Sequence, residues 1–424
     1  MNVVEIITKK RDGLELSQGE IEFFVKGIVE NKIPDYQITP LLMAIYINGM
    51  TQEETFYLTK AMIDSGEVLD LSSIEGFKID KHSTGGVGDK LTLASCPIAA
   101  AAGIKIAKMS GRGLGFTGGT IDKLMAIPGF HVDISMEKFY DNVRENGIAL
   151  MAQSDKIAVA DKIIYSLRDV SGTVESMPLI VSSIMSKKLA LGADGIILDV
   201  KYGSGALMKT YDDAEKMAKE MKKIGESFGK KVEYILSPMT EPLGSQVGNA
   251  NEIKEVLDFL KGNGPEDLHR EAINLAAKMI HMAGYTKSMG GACDMAESIV
   301  KTGRGLEMFK DWIVSQGGDP KVINNYGVLP GYEFCEDITG EMLGVGTGRQ
   351  IDLVDAHIVG QAAGLAGAGR MTKDDVLDLG AGVKVNCKSG ASVAPETVVF
   401  QIFGNNRDKV QAGKERLLKA CIWK

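Results

Sequence analysis

The sequence predicts an α/β protein with a discontinuous all-helical domain, a larger mixed α/β domain and a small C-terminal α+β domain. Three observations lead there. The glycines, 50 in 424 residues, cluster directly after short apolar runs, as the tight strand-to-helix turns of a parallel sheet require. Residues 1–66 show helical periodicity and no strand signal. After Leu329-Pro330-Gly331 the texture shifts to short strand-like runs. A chain of this length exceeds one small core, so several domains are expected.

In residues 1–66, Ser17-Gln18-Gly19-Glu20 and Thr51-Gln52-Glu53-Glu54 have the form of capping boxes, each ahead of an apolar-periodic run. Leu41, Leu42, Ile45 and Tyr46 recur at helical spacing, and Gly49 stands at the expected stop. From Gly76 the pattern changes: Phe77-Lys78-Ile79-Asp80 reads as a strand, residues 91–102 as a helix and residues 104–109 as a second strand. This is the βαβ grammar of a parallel sheet. Residues 139–150 read as helix. Residues 161–188 form a long, mostly helical stretch without a strand-like run, and they are assigned to the N-terminal helices. Gly195-Ile196-Ile197-Leu198-Asp199-Val200 has the unbroken apolar run of a buried parallel strand. Helix is expected over 211–228, strand over 232–236, and helix over 251–260, 268–283 and 295–316. Val383-Lys384-Val385 and residues 398–403 read as strands, followed by a last amphipathic helix. The domains expected are therefore 1–66 with 160–190, 67–159 with 191–330, and 331–424.

Composition narrows the function. With 44% hydrophobic and 25% charged residues, disorder is excluded as the main state. A formal charge of −8 argues against a nucleic-acid binder, which needs a basic face. No apolar run approaches the ~20 residues of a membrane span. The five cysteines are scattered and lack C-x-x-C spacing, so neither a disulfide framework nor a thiolate zinc site is expected. The start carries no basic stretch followed by an apolar one, and a cytoplasmic location is expected.

Two glycine-rich loops carry the chemistry. Lys81-His82-Ser83-Thr84-Gly85-Gly86-Val87-Gly88-Asp89 leaves the first strand of the βαβ unit. Ser110-Gly111-Arg112-Gly113-Leu114-Gly115-Phe116-Thr117-Gly118-Gly119-Thr120 leaves the second. Glycines let backbone N–H groups approach an anion, and hydroxyls and basic side chains complete its shell. The pair reads as a phosphate site. Neither loop closes with Gly-Lys-Ser/Thr, so it is not a Walker A motif. His82 is the one histidine in a glycine loop, and its imidazole can donate a proton near neutral pH. His131, His269, His281 and His357 show no metal spacing. Further on, Ser183 and Lys187 share one helix face, with Arg168 upstream. The neighbouring Leu179-Ile180-Val181 predicts that this face is largely buried, where a cation calls for a partner.

These residues resemble the pyrimidine and thymidine nucleoside phosphorylases. The two glycine loops, Asp161-Lys162, Arg168-Asp169-Val170 and Ile184-Met185-Ser186-Lys187-Lys188 carry the likeness, which runs over nearly the whole chain. Lys108-Met109-Ser110 and Pro128-Gly129-Phe130-His131-Val132 lean toward the bacterial enzymes of broad uridine and thymidine use. The resemblance implies a helical domain on the base side and an α/β domain on the phosphate side of a cleft, and a homodimer through the helical domain. It implies phosphorolysis of uridine, thymidine and deoxyuridine, with inorganic phosphate as co-substrate and no organic cofactor. Lys81, His82, Ser83, Thr92, Lys108, Met109, Ser110 and Thr120 would contact phosphate. Arg168, Ser183 and Lys187 would read the pyrimidine, between apolar walls of Leu114, Tyr165 and Val174. His82, Arg168 and Lys187 would be catalytic. A potassium ion would sit at Gly88, Leu243 and Glu255.

The chain departs from the family pattern at Phe116 (usually histidine), Met125 (commonly glutamate) and Tyr202 (usually small). Lys90 stands where a cation-holding threonine is expected, and Gln246 replaces a small residue. The expectation is that the Lys90 ammonium sits near Glu255 and substitutes for the ion. A thymidine-restricted phosphorylase, an anthranilate-type phosphoribosyltransferase and a catalytically silent binding protein on this scaffold are the alternative readings.

Overall fold

The computed structural model describes residues 1–111, 113, 118–370 and 375–424. Leu114 and Phe116 lie outside the described residues. The chain divides into two compact units: Met1–Ser73 with Gln153–Ile196 and Glu215–Glu233, and Ile74–Ala152 with Ile197–Ala214 and Tyr234–Lys424.

The first unit begins with α1 (Val3–Arg11), α2 (Gln18–Val29), α3 (Asp35–Asn48) and α4 (Gln52–Asp64). Both expected capping boxes form: Ser17 with Glu20, and Thr51 with Glu54. Gly49 ends α3, as its position predicts. Leu41, Leu42 and Ile45 are buried, whereas Tyr46 is 43% exposed. The helices Val159–Ser171 and Met177–Ala190 return to this bundle, where Ile164 and Leu179 join a core with Phe24, Leu42 and Met62. The helical domain is thus discontinuous, as its texture predicts. The long stretch expected over 161–188 is two helices, divided at Gly172.

Glu54 ties the bundle together. Its carboxylate accepts from Lys10 Nζ at 2.8 Å, from Leu16 N at 2.8 Å and from Thr51 N at 2.8 Å. Both charged side chains are almost fully buried. Breaking a buried pair leaves a charge without compensation, so Glu54→Ala is expected to cost about 3–5 kcal/mol. Chemical denaturation of the variant measures this, and a loss below about 1 kcal/mol contradicts it.

Residues 215–233 also pack in this unit, whereas the sequence texture assigns them to the α/β domain. Phe228 lies against Phe56 with ring centroids 4.8 Å apart, and a Cβ on Gly225 would stand 2.4 Å from Val232 and 3.0 Å from Met185. The helical period of Tyr211–Ser227 shows that one face is buried, not which neighbour covers it.

The second unit is built on a five-stranded sheet of β1 (Lys78–Ser83), β2 (Lys105–Ser110), β3 (Ile148–Ala152), β4 (Gly195–Tyr202) and β5 (Lys231–Pro238). The order is β3-β2-β1-β4-β5, and β2 pairs in parallel with both β1 and β3. The apolar helix α5 (Leu91–Ala101) connects β1 to β2. Strand β3 corrects the helix expected over 139–150. The helix Met136–Asn146 stops at Gly147, which takes a left-handed φ of 78°, and the apolar run Ile148-Ala149-Leu150-Met151 pairs beside β2. Similarly, Gly303 at φ 75° divides the block expected over 295–316 into Met289–Lys301 and Arg304–Ser315.

The C-terminal part is antiparallel. β6 (Gln246–Gly248), β9 (Gly382–Val385), β11 (Val398–Gly404) and β7 (Phe334–Thr339) form one sheet in that order. β10 (Ser392–Val393), β8 (Arg349–Val354) and β12 (Cys421–Trp423) form the other. The small C-terminal α+β domain forms as expected, and it falls in the same compact unit as the five-stranded sheet. Strand β6 lends an edge to β9, with Gln246 opposite Lys384, and one continuous apolar core runs from Ile79 to Ala420. All five cysteines are free. Among the described residues no helix is long and apolar enough to cross a membrane.

Candidate active site

In the α/β unit the strand order reverses between β1 and β4. Ligands on such sheets bind outside the carboxyl ends of strands at that switch point. The first glycine loop leaves β1 there, and a buried charge network underlies it. Lys81 Nζ lies 2.9 Å from Asp199 on β4, and both side chains are fully buried. Asp199 also forms an ion pair with Lys201 Nζ at 2.8 Å and accepts a hydrogen bond from Ser237 Oγ at 2.8 Å. Lys201 Nζ approaches Asp89 at 3.6 Å, and Asp89 accepts from Ser83 Oγ at 2.5 Å. Lys201 N donates to Thr84 Oγ1 at 2.8 Å, which fastens the loop to β4.

The network shifts its members strongly. Burial by itself raises the Asp89 carboxyl, but Lys201, Lys81 and Lys123 outweigh it and hold Asp89 far below the usual range. Burial lowers Lys81, yet Asp199 and Asp89 outweigh it and hold the ammonium above its ordinary value. The depressed carboxyl contributes stability above its unfolded pKa of about 3.9 and loses it as pH falls further. The raised ammonium contributes fully below about pH 10.4 and fades as pH climbs beyond. Urea midpoints are therefore expected to be level from about pH 5 to 10 as far as these groups decide, and to fall on the acid side below pH 4.

The second loop leaves β2. Lys108 Nζ donates to Lys81 O at 2.5 Å, and Met109 is buried beside it. Ser110 and Thr120 are half-exposed at the two ends of the loop, and Thr92 is buried in the first turn of α5. Asp122 anchors the described ends of this loop. It accepts from Gly113 N and Gly119 N, both at 2.9 Å, and pairs with Arg370 Nη2 at 2.9 Å. Lys123 Nζ donates to Asp89 O at 2.8 Å and Gly118 O at 3.2 Å, so it bridges the two loops. His82 is half-buried in the first loop.

Beyond the first loop, Lys90 is fully buried. Its Nζ donates to Leu243 O at 2.9 Å, to Gln246 O at 2.8 Å and to Glu255 Oε2. A Cβ on Gly88 would fall 2.6 Å from Leu243 O and 3.2 Å from Gln246 O. Oxygens expected around a potassium ion therefore already surround an ammonium, and the residues present do not fit a second cation. Burial lowers the Lys90 pKa, but Glu255 and Glu252 overcome it and hold the group charged.

The helical unit holds the other set. Lys187 Nζ lies 2.5 Å from Asp161 Oδ2 and 3.1 Å from Ser183 Oγ. Asp161 Oδ1 has no hydrogen-bond partner among the described residues. Arg168 is spent differently: its guanidinium donates to Thr173 O at 3.2 Å, Leu179 O at 3.0 Å and Val174 O at 2.5 Å. It lies 5.7 Å from the Tyr165 ring centroid and is 1% exposed. Burial depresses the Arg168 pKa, with Asp161 opposing. Arg168 thus pins the turn between two helices, while Tyr165 and Val174 remain half-buried beside it. Of the departures, Met125 is 38% exposed, and Tyr202 packs edge-on against Tyr211 at 5.4 Å.

Sequence reasoning missed Asp199, Lys201, Asp161, Asp122, Lys123 and Arg370 as parts of these clusters. Asp199 and Lys201 could have been flagged as charges interrupting an apolar strand at its carboxyl end. Arg370, 248 residues from Asp122, had no local signal.

Comparison with known proteins places this architecture among the glycosyl transferases. A family model described as "Glycosyl transferase family, a/b domain" matches residues 75–306, and its helical bundle domain matches 4–66. The pyrimidine nucleoside phosphorylase C-terminal domain matches 350–423. The anthranilate phosphoribosyltransferase of Thermus thermophilus shares the fold, with a TM-score of 0.58, 17% identity and coverage of 74% of this chain and 99% of that one. Pyrimidine-nucleoside phosphorylase of Bacillus subtilis (strain 168) is 47% identical over 97% of this chain and 94% of its own. The Geobacillus stearothermophilus enzyme of that name is 46% identical over 98% and 95%. This chain belongs to the pyrimidine-nucleoside phosphorylase family.

Proposed function

We propose that the protein catalyses reversible phosphorolysis of pyrimidine ribo- and 2′-deoxyribonucleosides, with uridine, thymidine and deoxyuridine as substrates. The observation that carries this reading is the pair of glycine loops at a sheet switch point, held by buried Lys81, Lys201 and Lys123. A phosphate oxygen attacks the anomeric carbon, the C1′–N1 bond breaks, and its electron pair leaves on the base. The products are free pyrimidine and α-(deoxy)ribose 1-phosphate. Phosphate is itself the nucleophile, so the residues supply position and charge, effects worth roughly 7–11 kcal/mol for full positioning.

Ser83, Thr92, Lys108, Met109, Ser110 and Thr120 bind phosphate, with Lys81 as the charge beneath the loop. Ser183 and Lys187 hold the pyrimidine and stabilise the charge it gains. Arg168 acts by fixing the turn that carries Val174, and His82 supplies a proton near neutral pH. No organic cofactor takes part. Lys90 provides the charge that a potassium ion would otherwise supply.

The test is release of free base from uridine and thymidine with and without phosphate. Release that depends on phosphate is expected; no release, or release indifferent to phosphate, overturns the reading. The same reading includes a homodimer through the helical unit, supported by exposed Tyr36 (77%) and Ile47 (71%) on α3. A particle of one chain mass in sedimentation at micromolar concentration contradicts it. Five free cysteines fit a reducing, cytoplasmic setting.

A further inference from the structure

The α/β unit holds a cavity of about 560 Å³, between the helix Ala250–Leu260 and the sheet of β6, β9 and β11. Lys254, Lys384, Gln246, Asn251, Asp258 and Tyr332 are among the residues around it. None of these is in the sets that bind phosphate or pyrimidine in the reading above.

Three features of the lining point to one class of ligand. The first is charge. Lys254 and Lys384 are half-buried, and neither makes a side-chain hydrogen bond or ion pair among the described residues. Asn251 Nδ2 reaches Val383 O at 3.4 Å, which brings the first turn of the helix to β9 and so places both lysines at one junction. Of the carboxylates in the lining, Glu255 is paired with Lys90 and Asp258 accepts from Tyr326 Oη, so the two half-buried ammonium groups, with no ion pair of their own, favour an anion. The second is a ring platform. Tyr332 is 47% exposed, while its other face stacks on Phe403 at 4.5 Å and 28°. A ring held flat from behind and open in front suits a planar heterocycle. The third is hydrogen-bonding capacity. Asn251 is 6% exposed and braces this wall, its Nδ2 donating to Gln246 Oε1 at 3.1 Å. Gln246 and Asp258 add an amide and a carboxylate. The volume lies within the range of small-molecule pockets, about 300–1,000 Å³.

We propose that this cavity binds a nucleoside 5′-phosphate, with its base on Tyr332 and its phosphate at Lys254 and Lys384. Inorganic phosphate would leave the ring and the amides unused. The site is regulatory in position. Gln246 and Glu255 line it and also hold Lys90, which directly follows Asp89 of the first glycine loop. An occupant is therefore felt at the loop, as a changed KM for phosphate.

Isothermal titration of the full chain with uridine 5′-phosphate tests this, alongside Lys254→Ala/Lys384→Ala, Tyr332→Ala and Lys187→Ala. The expected result is one nucleotide per chain, weakened at least tenfold in the double-lysine and tyrosine variants and unchanged in Lys187→Ala. Binding lost in Lys187→Ala but kept in the other variants assigns the nucleotide to the reaction site and overturns the proposal. So does inorganic phosphate that binds as tightly as the nucleotide and loses that binding in the double-lysine variant, or no nucleotide binding at millimolar concentration. In steady-state assays, saturating nucleotide is expected to change KM for phosphate at least twofold in the wild type and not in the double-lysine variant. Binding with no change in KM overturns the regulatory role.

Discussion

Wild-type protein is expected to turn over uridine equally well in sodium, potassium and tetramethylammonium buffers, while Lys90→Thr loses most of its activity unless potassium is supplied. The reason lies in the oxygen cage around the Lys90 ammonium. Leu243 O, Gln246 O and Glu255 each accept from Nζ, and Glu255 is 5% exposed. Removing the ammonium leaves a buried carboxylate and two carbonyls facing each other. Breaking such a pair costs about 3–5 kcal/mol. Carboxylate and carbonyl oxygens are the ligands that hard cations take, so an added ion can repair Lys90→Thr. Lys90→Met, which fills the cage with apolar atoms, is expected to be destabilised and not rescued. Thermal melts and activity across the cation series read both effects. A strict potassium requirement in the wild type ends the assignment of Lys90 as the resident charge.

Lys187→Ala is expected to lower kcat by about 10²–10³-fold, the cost typical of removing one group that stabilises developing charge. Lys187 is the more exposed member of its pair, at 20% against 2% for Asp161, so its ammonium can meet a ligand while the carboxylate orients it. The pair also contributes to folding, and Asp161→Asn separates the two roles. That variant keeps the amine and the hydrogen-bonding shape. If Lys187 meets the pyrimidine, Asp161→Asn retains activity within about tenfold and loses as much Tm as Lys187→Ala. Equal losses of activity in the two variants, tracking Tm, would show a structural pair only.

Several parts of this molecule are readable without coordinates because they are local. The capping boxes at Ser17 and Thr51, the glycine loops after β1 and β2, and the shared face of Ser183 and Lys187 each depend on one short stretch of chain. Strand β3 was legible in principle, since Gly147 precedes an apolar run. The helical period of residues 139–146 masked it, because an apolar run of four fits either state. Arg168 shows a different limit. Its burial was readable, but its three carbonyl partners depend on how the turn at 172–176 folds back.

Residue order alone specifies the two glycine-rich loops, the helical nature of residues 1–66 and 160–190, and the lysine at position 90. These follow from residue type and short-range spacing, which the backbone reads directly. The pairing of Lys81 with Asp199, 118 residues away, and the reach of Arg370 to Asp122 across 248 emerge only on folding. So does the addition of β6 to the C-terminal sheet. Such contacts arise because burial drives distant segments together, and a buried charge then takes whichever partner that packing provides.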